Sequence, residues 1–466
     1  MIAVASAAAA LGGQAASAAE PPARPVPPYQ SLLLPRTAPA PHTLPHAASA
    51  PGVAAASAVP VSHAAAAISS APAAAALQTV APASPAPVPP ASAAFAEPPA
   101  PPPAASLPQL APPPLTARAW LLLDATSGQV LGEHDADLRI EPASLTKIMT
   151  AYLVFQALQE RRIALDQQVV VSARAWKVAP GSSKMFLEPG KRVAIGDLLS
   201  GLLIQSGNDA AIALAEAVSG SVEAFVERMN QTAVAMGLRD THFASPHGLP
   251  DPQTYSTARD LAMLARRIQR DYPQSRAYDT TREFTYNNIT QSNRNRLLWL
   301  DPSVDGLKTG HTEAAGYCIV ASAQRPAGPL QRRLIAVVTG TASDKLRTQE
   351  SRTLLEWGFR AYDTVRLYAR GESAGSAQVW KGTAAAVKTG FAEDVFLSVP
   401  AGARIERQPL PSATLFAPLA AGAPVGAVQV SVDGKPALQV PVVALEPVAQ
   451  AGLAGRAWDT VRLWLQ

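Results

Sequence analysis

Ser144 and Lys147 have the residue types and the spacing of a nucleophile and its base, in the segment Ser144-Leu-Thr-Lys147. On a helix this spacing places a hydroxyl and an amine on the same face. A serine hydroxyl is a weak nucleophile at neutral pH, and a lysine activates it only when burial or a nearby cation keeps the amine uncharged. The pair therefore indicates covalent catalysis on Ser144, although a helix-capping serine followed by a surface lysine has the same pattern.

Two further segments carry groups that such a reaction needs. Ser206-Gly-Asn208 offers a second hydroxyl for proton transfer and a carboxamide that can hold a substrate amide. Lys308-Thr309-Gly310 lies at a predicted strand edge, where the glycine lets a substrate backbone approach and the lysine supplies positive charge. Each segment alone could be an ordinary turn. Three such triplets in this order, separated by about 60 and about 100 residues, are much more specific.

The segments that carry these groups adjoin predicted helices and strands. Ser144 and Lys147 fall in the first turn of a helix, and Ser206–Asp209 is a polar junction between two apolar helical segments. The predicted elements are two antiparallel strands within 117–131, helices at 144–155, 197–204, 209–218 and 343–362, and strands at 304–309, 316–323 and 334–340. We therefore predict an α+β (α/β) catalytic domain over residues 117–375, in which helices flank a mainly antiparallel sheet and further helices form a subdomain.

The remaining parts of the chain differ from this domain in composition. Residues 1–19 are Ala-rich and end in small residues, which predicts a possible signal segment, although no Lys or Arg precedes the apolar part. Residues 20–116 contain more than half of the 44 prolines and few aromatics, so we predict a disordered spacer. Short alternating runs between Gly and Pro predict a small all-β domain over 376–447, followed by an amphipathic helix over 448–466.

The predicted terminal helix has a broad apolar face. Leu453, Ala457, Trp458, Val461, Trp464 and Leu465 share one arc, Arg456, Asp459, Thr460, Arg462 and Gln466 lie outside it, and Leu463 does not fit the pattern. Such a helix could dock on its own protein, but tryptophans on the apolar face with arginines beside it favour an interfacial membrane helix. No apolar run approaches the roughly 18 residues that a spanning helix needs. We therefore expect export, followed by peripheral attachment to the inner membrane.

The composition argues against several other classes of protein. The net charge is only +4, and no block of Lys and Arg alternates with aromatics, so nucleic acid is not an expected partner. The single cysteine, Cys318, excludes an internal disulfide framework, and its apolar flanks predict a buried, inert thiol. His242, His247 and His311 are too scattered to form a metal site, and no cofactor is implied.

The three triplets resemble the active-site motifs of penicillin-recognising serine acyltransferases, the class that contains β-lactamases and penicillin-binding proteins. The closer resemblance is to the low-molecular-mass D-alanyl-D-alanine carboxypeptidases, and it covers roughly residues 117–466. The segments that carry it are Glu141-Pro-Ala-Ser144-Leu-Thr-Lys147, Gln205-Ser206-Gly-Asn208-Asp209, Ser245-Pro-His247-Gly248, Ser256-Thr-Ala-Arg259-Asp260, Asn293-Arg-Asn-Arg-Leu-Leu-Trp299 and Asp305-Gly-Leu-Lys308-Thr-Gly-His311-Thr.

This resemblance implies a serine peptidase with a β-lactamase-like or transpeptidase-like catalytic fold. It would release the terminal D-alanine from peptidoglycan stem peptides and would be acylated by β-lactams. The resemblance implies that Ser144 is the nucleophile, that Lys147 is its base, and that Ser206 and Lys308 pass the proton to the departing D-alanine. It implies that Asn208 holds the substrate amide and that the backbone N–H groups of Ser144 and His311 form the oxyanion hole. It also implies that Thr309 and Thr312 bind the terminal carboxylate and that Arg347 supports this carboxylate site.

Three alternatives stay open. A β-lactamase of this fold usually adds a glutamate about 35 residues after the second motif, where this chain reads Leu238-Arg-Asp-Thr-His-Phe243 without one. A D,D-endopeptidase would share all three motifs and is harder to exclude. A non-catalytic peptidoglycan-binding scaffold is the third, and the intact motifs argue against it.

Overall fold

The computed structural model describes residues 110–411 and 413–465. The predicted signal segment, and the predicted spacer up to residue 109, lie outside the described residues. The end of that spacer is ordered against the folded part: the N–H of Leu110 donates to Tyr362 Oη at 2.9 Å, and the N–H of Thr116 donates to Glu350 Oε1 at 2.9 Å. The predicted spacer boundary at 116 is therefore too late, because side chains some 240 residues further on bind these backbone groups.

A five-stranded antiparallel sheet forms the centre of the first domain, in the order β2-β1-β9-β8-β7. The strands of this domain are β1 (Ala119–Asp124), β2 (Val130–His134), β3 (Gln168–Val170), β4 (Arg192–Ala194), β5 (Glu283–Tyr286), β6 (Ile289–Ser292), β7 (Val304–Thr312), β8 (Gly316–Ala327) and β9 (Leu330–Thr341). Strands β3 with β4, and β5 with β6, form two small separate hairpins. The predicted sheet is confirmed, and β7, β8 and β9 are longer than their apolar runs indicated.

Helices cover both faces of this sheet and form a helical subdomain. They are α1 (Lys147–Gln159), α2 (Ala173–Trp176), α3 (Ile195–Leu203), α4 (Asn208–Ser219), α5 (Val222–Met236), α6 (Ala258–Asp271), α7 (Arg276–Asp279), α8 (Leu297–Leu300) and α9 (Asp344–Ala361). Strand β1 is apolar from Ala119 to Leu123 because it is covered on both sides. Leu121 and Leu123 enter the core that contains α1 and α6, whereas Trp120 and Leu122 enter the core under α9.

The second domain is all-β. Its strands are β10 (Tyr362–Tyr368), β11 (Ser373–Trp380), β12 (Ala386–Gly390), β13 (Val395–Pro400), β14 (Ile405–Pro409), β15 (Leu415–Phe416), β16 (Pro424–Val432) and β17 (Lys435–Ala444). Alternate residues of these strands form a separate Val-rich core. The predicted boundary after Gly375 lies inside this domain, because β10 follows α9 directly and pairs with β13. Polar and small residues interrupt β10 and β11, so neither strand contains an apolar run that would have predicted it from the sequence.

The terminal helix, α10 (Leu453–Trp464), packs on the second domain through its polar side. The carboxylate of Asp459 accepts from the N–H of Lys381 at 2.6 Å, and the Arg462 guanidinium lies 5.7 Å from the Trp380 ring centroid. The apolar arc faces solvent, with Trp458 65% and Trp464 85% exposed. Within the described residues, no helix combines the length and the apolar character required to cross a membrane.

Candidate active site

The Lys147 amine lies at the centre of a buried group of polar atoms. Ser144 sits in a 3₁₀ turn, Ala143–Thr146, that leads into α1, and Lys147 Nζ is 2.9 Å from Ser144 Oγ. The amine also donates to Asn208 Oδ1 at 2.7 Å and to the carbonyl oxygen of His247 at 2.8 Å. An uncharged amine has two N–H groups and one lone pair. The two acceptors engage the two N–H groups, so the lone pair is left to take the Ser144 proton.

The electrostatic environment keeps this amine uncharged. The Lys147 side chain is fully buried, and burial lowers its pKa well below the usual value for lysine. The positive charges of Lys308 and Arg294 lower that pKa further, while the Asp209 carboxylate acts in the opposite direction. The expected condition for a lysine base, burial together with neighbouring cations, is therefore present.

The junction between α3 and α4 supplies Ser206 and Asn208. Ser206 has a φ of +70°, a left-handed conformation that costs a non-glycine residue about 1 kcal/mol or more. Its Oγ is buried and has no hydrogen-bond partner among the described residues, so it is free to exchange a proton with a ligand. The junction is anchored by the Asp209 carboxylate, which accepts from the N–H groups of Met185 and Leu187 at 2.9 Å and 3.1 Å.

Lys308 lies on β7 and is almost fully buried. Burial lowers its pKa to about 7, with contributions from the Arg294 and Arg347 charges, and Asp279 opposes the shift. Two residues further along β7, a Cβ added to Gly310 would lie 3.1 Å from the carbonyl oxygen of Pro142 and 3.2 Å from Ala143 Cβ. The sequence interpretation attributed this glycine to an approaching substrate. In the structure, the close contact is with the turn that carries Ser144.

The far end of β7 contains the predicted carboxylate site. Arg347 on α9 is buried, and its Nη1 donates to the carbonyl oxygens of Gly310 and Cys318 at 3.2 Å each. Thr312 Oγ1 donates to Glu141 Oε2 at 2.8 Å, so in this arrangement its hydroxyl hydrogen is not available to a ligand. Thr309 lies beside them on β7. Cys318 on β8 is fully buried, which confirms the predicted core position of this thiol, and burial raises its pKa to about 11.

One cavity of about 930 Å³ brings most of the predicted residues together. Ser144, Ser206, Asn208, Thr309, Gly310, His311, Thr312 and Arg347 line it, and Lys147 and Lys308 are buried beside it. Residues Gly181–Ser183 also line the cavity, as do Arg294, Arg296, Trp299 and Asp344.

Sequence reasoning missed three contributors to the site. The carbonyl of His247 and the carboxylate of Glu141 lie within recognised motifs, but nothing in their residue types indicated which atoms they would bind. Burial lowers the pKa of the His247 ring to about 4, so the ring is neutral near neutral pH. Arg294 lowers the pKa of both lysines through its charge, a role that its spacing along the chain did not indicate.

Comparisons with known proteins cover both described domains. The sequence model of a family described as D-alanyl-D-alanine carboxypeptidase, Peptidase S11, matches residues 107–343. A second model, described as the C-terminal domain of penicillin-binding protein 5, matches residues 362–450.

Individual relatives agree with the family models. The chain is 44% identical over 359 residues to D-alanyl-D-alanine carboxypeptidase DacC of Escherichia coli. The aligned residues make up 75% of this chain and 89% of DacC. The chain is 41% identical to DacA of Haemophilus influenzae, over 74% and 89% of the two chains. Among solved structures, penicillin-binding protein 5 from Haemophilus influenzae matches with a TM-score of 0.71 and 40% identity, over 73% of this chain and 100% of that chain.

Proposed function

This chain belongs to the D-alanyl-D-alanine carboxypeptidases, a family of serine-type hydrolases, and we propose that it removes the terminal D-alanine from peptidoglycan pentapeptides through an acyl-enzyme on Ser144. The observation that carries this proposal is the Lys147 amine, which is buried, bound by two acceptors and 2.9 Å from Ser144 Oγ. Relatives of the chain named as D-alanyl-D-alanine carboxypeptidases support the substrate and the reaction.

The acylation step follows from this geometry. Lys147 Nζ takes the Ser144 proton as Oγ attacks the carbonyl carbon of the D-alanyl-D-alanine bond. The resulting oxyanion is stabilised by the backbone N–H groups of Ser144 and His311. The C–N bond then breaks, and the proton reaches the departing amine of D-alanine through Ser206 and Lys308. An unpartnered Ser206 hydroxyl and a Lys308 pKa of about 7 are suited to such a transfer near neutral pH.

Deacylation uses the same groups with water as the nucleophile. Lys147 accepts a proton from water, the hydroxyl attacks the Ser144 ester, and the tetrapeptide leaves as Ser144 recovers its hydrogen. The terminal carboxylate of the substrate is received during acylation by Thr309, and by Thr312 once its hydroxyl turns from Glu141 to the substrate. The buried Arg347 supplies positive charge to that end of β7. Asn208, which already binds Lys147, holds the substrate amide.

The same nucleophile would be acylated by β-lactams, as the penicillin-binding names of the structural relatives suggest. Purified protein incubated with a fluorescent penicillin is expected to carry a covalent label on Ser144. Ser144→Ala should abolish the label, because the nucleophile is lost, and Lys147→Arg should nearly abolish it, because a guanidinium does not give up its proton. Both variants should keep the circular dichroism spectrum of the parent. A label of undiminished intensity on Ser144→Ala would place the nucleophile elsewhere.

We also propose that the enzyme is exported and held on the periplasmic face of the inner membrane by α10. The support is the orientation of this helix, whose polar side binds the second domain while Leu453, Trp458, Val461, Trp464 and Leu465 are half-exposed or more. Leu463, which does not fit the apolar arc, is less exposed because it lies on the docked side with Arg456 and Asp459. The exposed face is small, so binding should be reversible and sensitive to salt.

Deletion of residues 451–466 tests this location. The deleted protein should move from the membrane fraction to the soluble periplasmic fraction, while its turnover of a small soluble peptide stays the same. A matched variant, Trp458→Ser with Trp464→Ser, keeps the docked side of the helix and should behave in the same way. If either protein still sediments with membranes, or if the deletion abolishes peptide turnover, α10 is a structural part of the fold instead.

A further inference from the structure

Arg296 and Asp344 form an ion pair on the wall of the active-site cavity. Arg296 Nε lies 2.6 Å from Asp344 Oδ2, and both residues line the cavity. Arg296 precedes α8 and Asp344 begins α9, so the contact joins two segments that are far apart in sequence. The mechanism described above uses neither residue.

The position of Asp344 shows which end of the cavity this pair occupies. Asp344 also forms an ion pair with Arg347, one helical turn further along α9. Arg347 in turn donates to the carbonyl oxygen of Gly310, within the stretch of β7 that includes Thr309 and Thr312. The ion pair is therefore next to the proposed carboxylate site, at the end of the cavity that receives the departing residue.

The charges at this end are balanced in a way that suits a carboxylate ligand. Asp344 alone would neutralise Arg347 and repel a substrate carboxylate. Because Arg296 shares the Asp344 carboxylate, the three side chains retain a net positive charge. The Arg296 side chain is 70% exposed and the Asp344 side chain 27%, so the pair stands at the cavity surface and little of its effect is on folding stability.

We propose that the Arg296–Asp344 ion pair closes the leaving-group end of the cavity and so selects a small terminal residue, D-alanine, over a leaving residue whose side chain continues into a second stem peptide. This inference rests on the proposed function and adds a preference for carboxypeptidase over endopeptidase substrates. A terminal D-alanine places only a methyl group beside the pair. In a cross-linked peptide, the side chain of the leaving residue would have to pass through the space that the two side chains occupy.

The test compares two soluble peptides that differ only in the terminal residue, D-alanine in one and Nε-acetyl-D-lysine in the other. The measured quantity is the ratio of kcat/KM for the bulky peptide to kcat/KM for the D-alanine peptide. Arg296→Ala with Asp344→Ala should raise this ratio about tenfold, the effect of removing a steric exclusion of a few methylene groups. The matched control is Arg352→Ala with Glu356→Ala, which removes an exposed ion pair of 2.9 Å from the same helix and should leave the ratio unchanged.

Acylation by penicillin, measured on every variant, separates the possible failures. An unchanged ratio in a double variant that penicillin still acylates overturns the inference and leaves the proposed function intact. Failure of the parent protein to release D-alanine, or to be acylated, overturns the proposed function and this inference with it. If the double variant does not fold, the single variant Arg296→Ala, which removes one exposed side chain, decides the question by the same ratio.

Discussion

At the scale of single residues, the pKa values of the two lysines of the site are lowered by similar means. Both are buried, which lowers the pKa of each amine. Lys147 also has Lys308 as a cationic neighbour, and its pKa is lowered well below the usual lysine range. The pKa of Lys308 is lowered to about 7, so it can both hold and release a proton near neutral pH. An amine whose pKa is lowered in this way can act as a base at Lys147 and as a proton carrier at Lys308.

Arg294 provides a test of this electrostatic effect, because its positive charge lowers the pKa of both lysines. Arg294→Gln removes that charge, so the pKa of Lys147 should rise. The amine would then stay protonated to a higher pH, and the acidic limb of the pH profile for acylation by penicillin should move to higher pH. Arg294→Lys keeps the charge and should keep the limb near its original position. A limb that does not move, or that moves to lower pH in Arg294→Gln, contradicts this account.

At the scale of elements, the turn that carries Ser144 is held between two glycines from distant segments. A Cβ on Gly248 would lie 1.9 Å from the carbonyl oxygen of Ala143, and Gly248 has a φ of +78°. Gly310 on β7 packs against the same turn from another direction. These close contacts fix the backbone around Ser144 and bring the carbonyl of the neighbouring His247 to Lys147. The sequence around Ser144 does not indicate either of these contacts.

This packing explains which parts of the site could be predicted from the sequence. Side-chain chemistry at a set spacing, as in Ser144 and Lys147, follows from helix geometry. The apolar runs of β8 and β9 follow from burial on both faces. The carbonyl of His247 and the Glu141–Thr312 hydrogen bond depend on tertiary packing, so the local pattern did not indicate them. Strand β10 was missed because polar residues interrupt its apolar ones, so the segment has no apolar run. Its backbone pairs with β13, a contact that the local sequence does not indicate.

At the scale of the whole molecule, a buried polar network joins the two domains. Asp124 at the end of β1 accepts from Arg332 Nε and from Ser398 Oγ, each at 2.9 Å, and also from Thr364 Oγ1. Arg332 and Asp124 are nearly fully buried, and removal of one partner would leave the other charge uncompensated. The second domain is therefore fixed to the catalytic domain by this network.

The central claim is that this chain cleaves the terminal D-alanine from a pentapeptide through Ser144. The measurement that tests it most directly is the release of D-alanine from a soluble pentapeptide by the purified parent protein and by Ser144→Ala. The parent should release one D-alanine per pentapeptide and leave a tetrapeptide, and Ser144→Ala should release none above the rate without enzyme. A parent protein that releases no D-alanine, or a Ser144→Ala variant that releases it at the parental rate, would contradict the account.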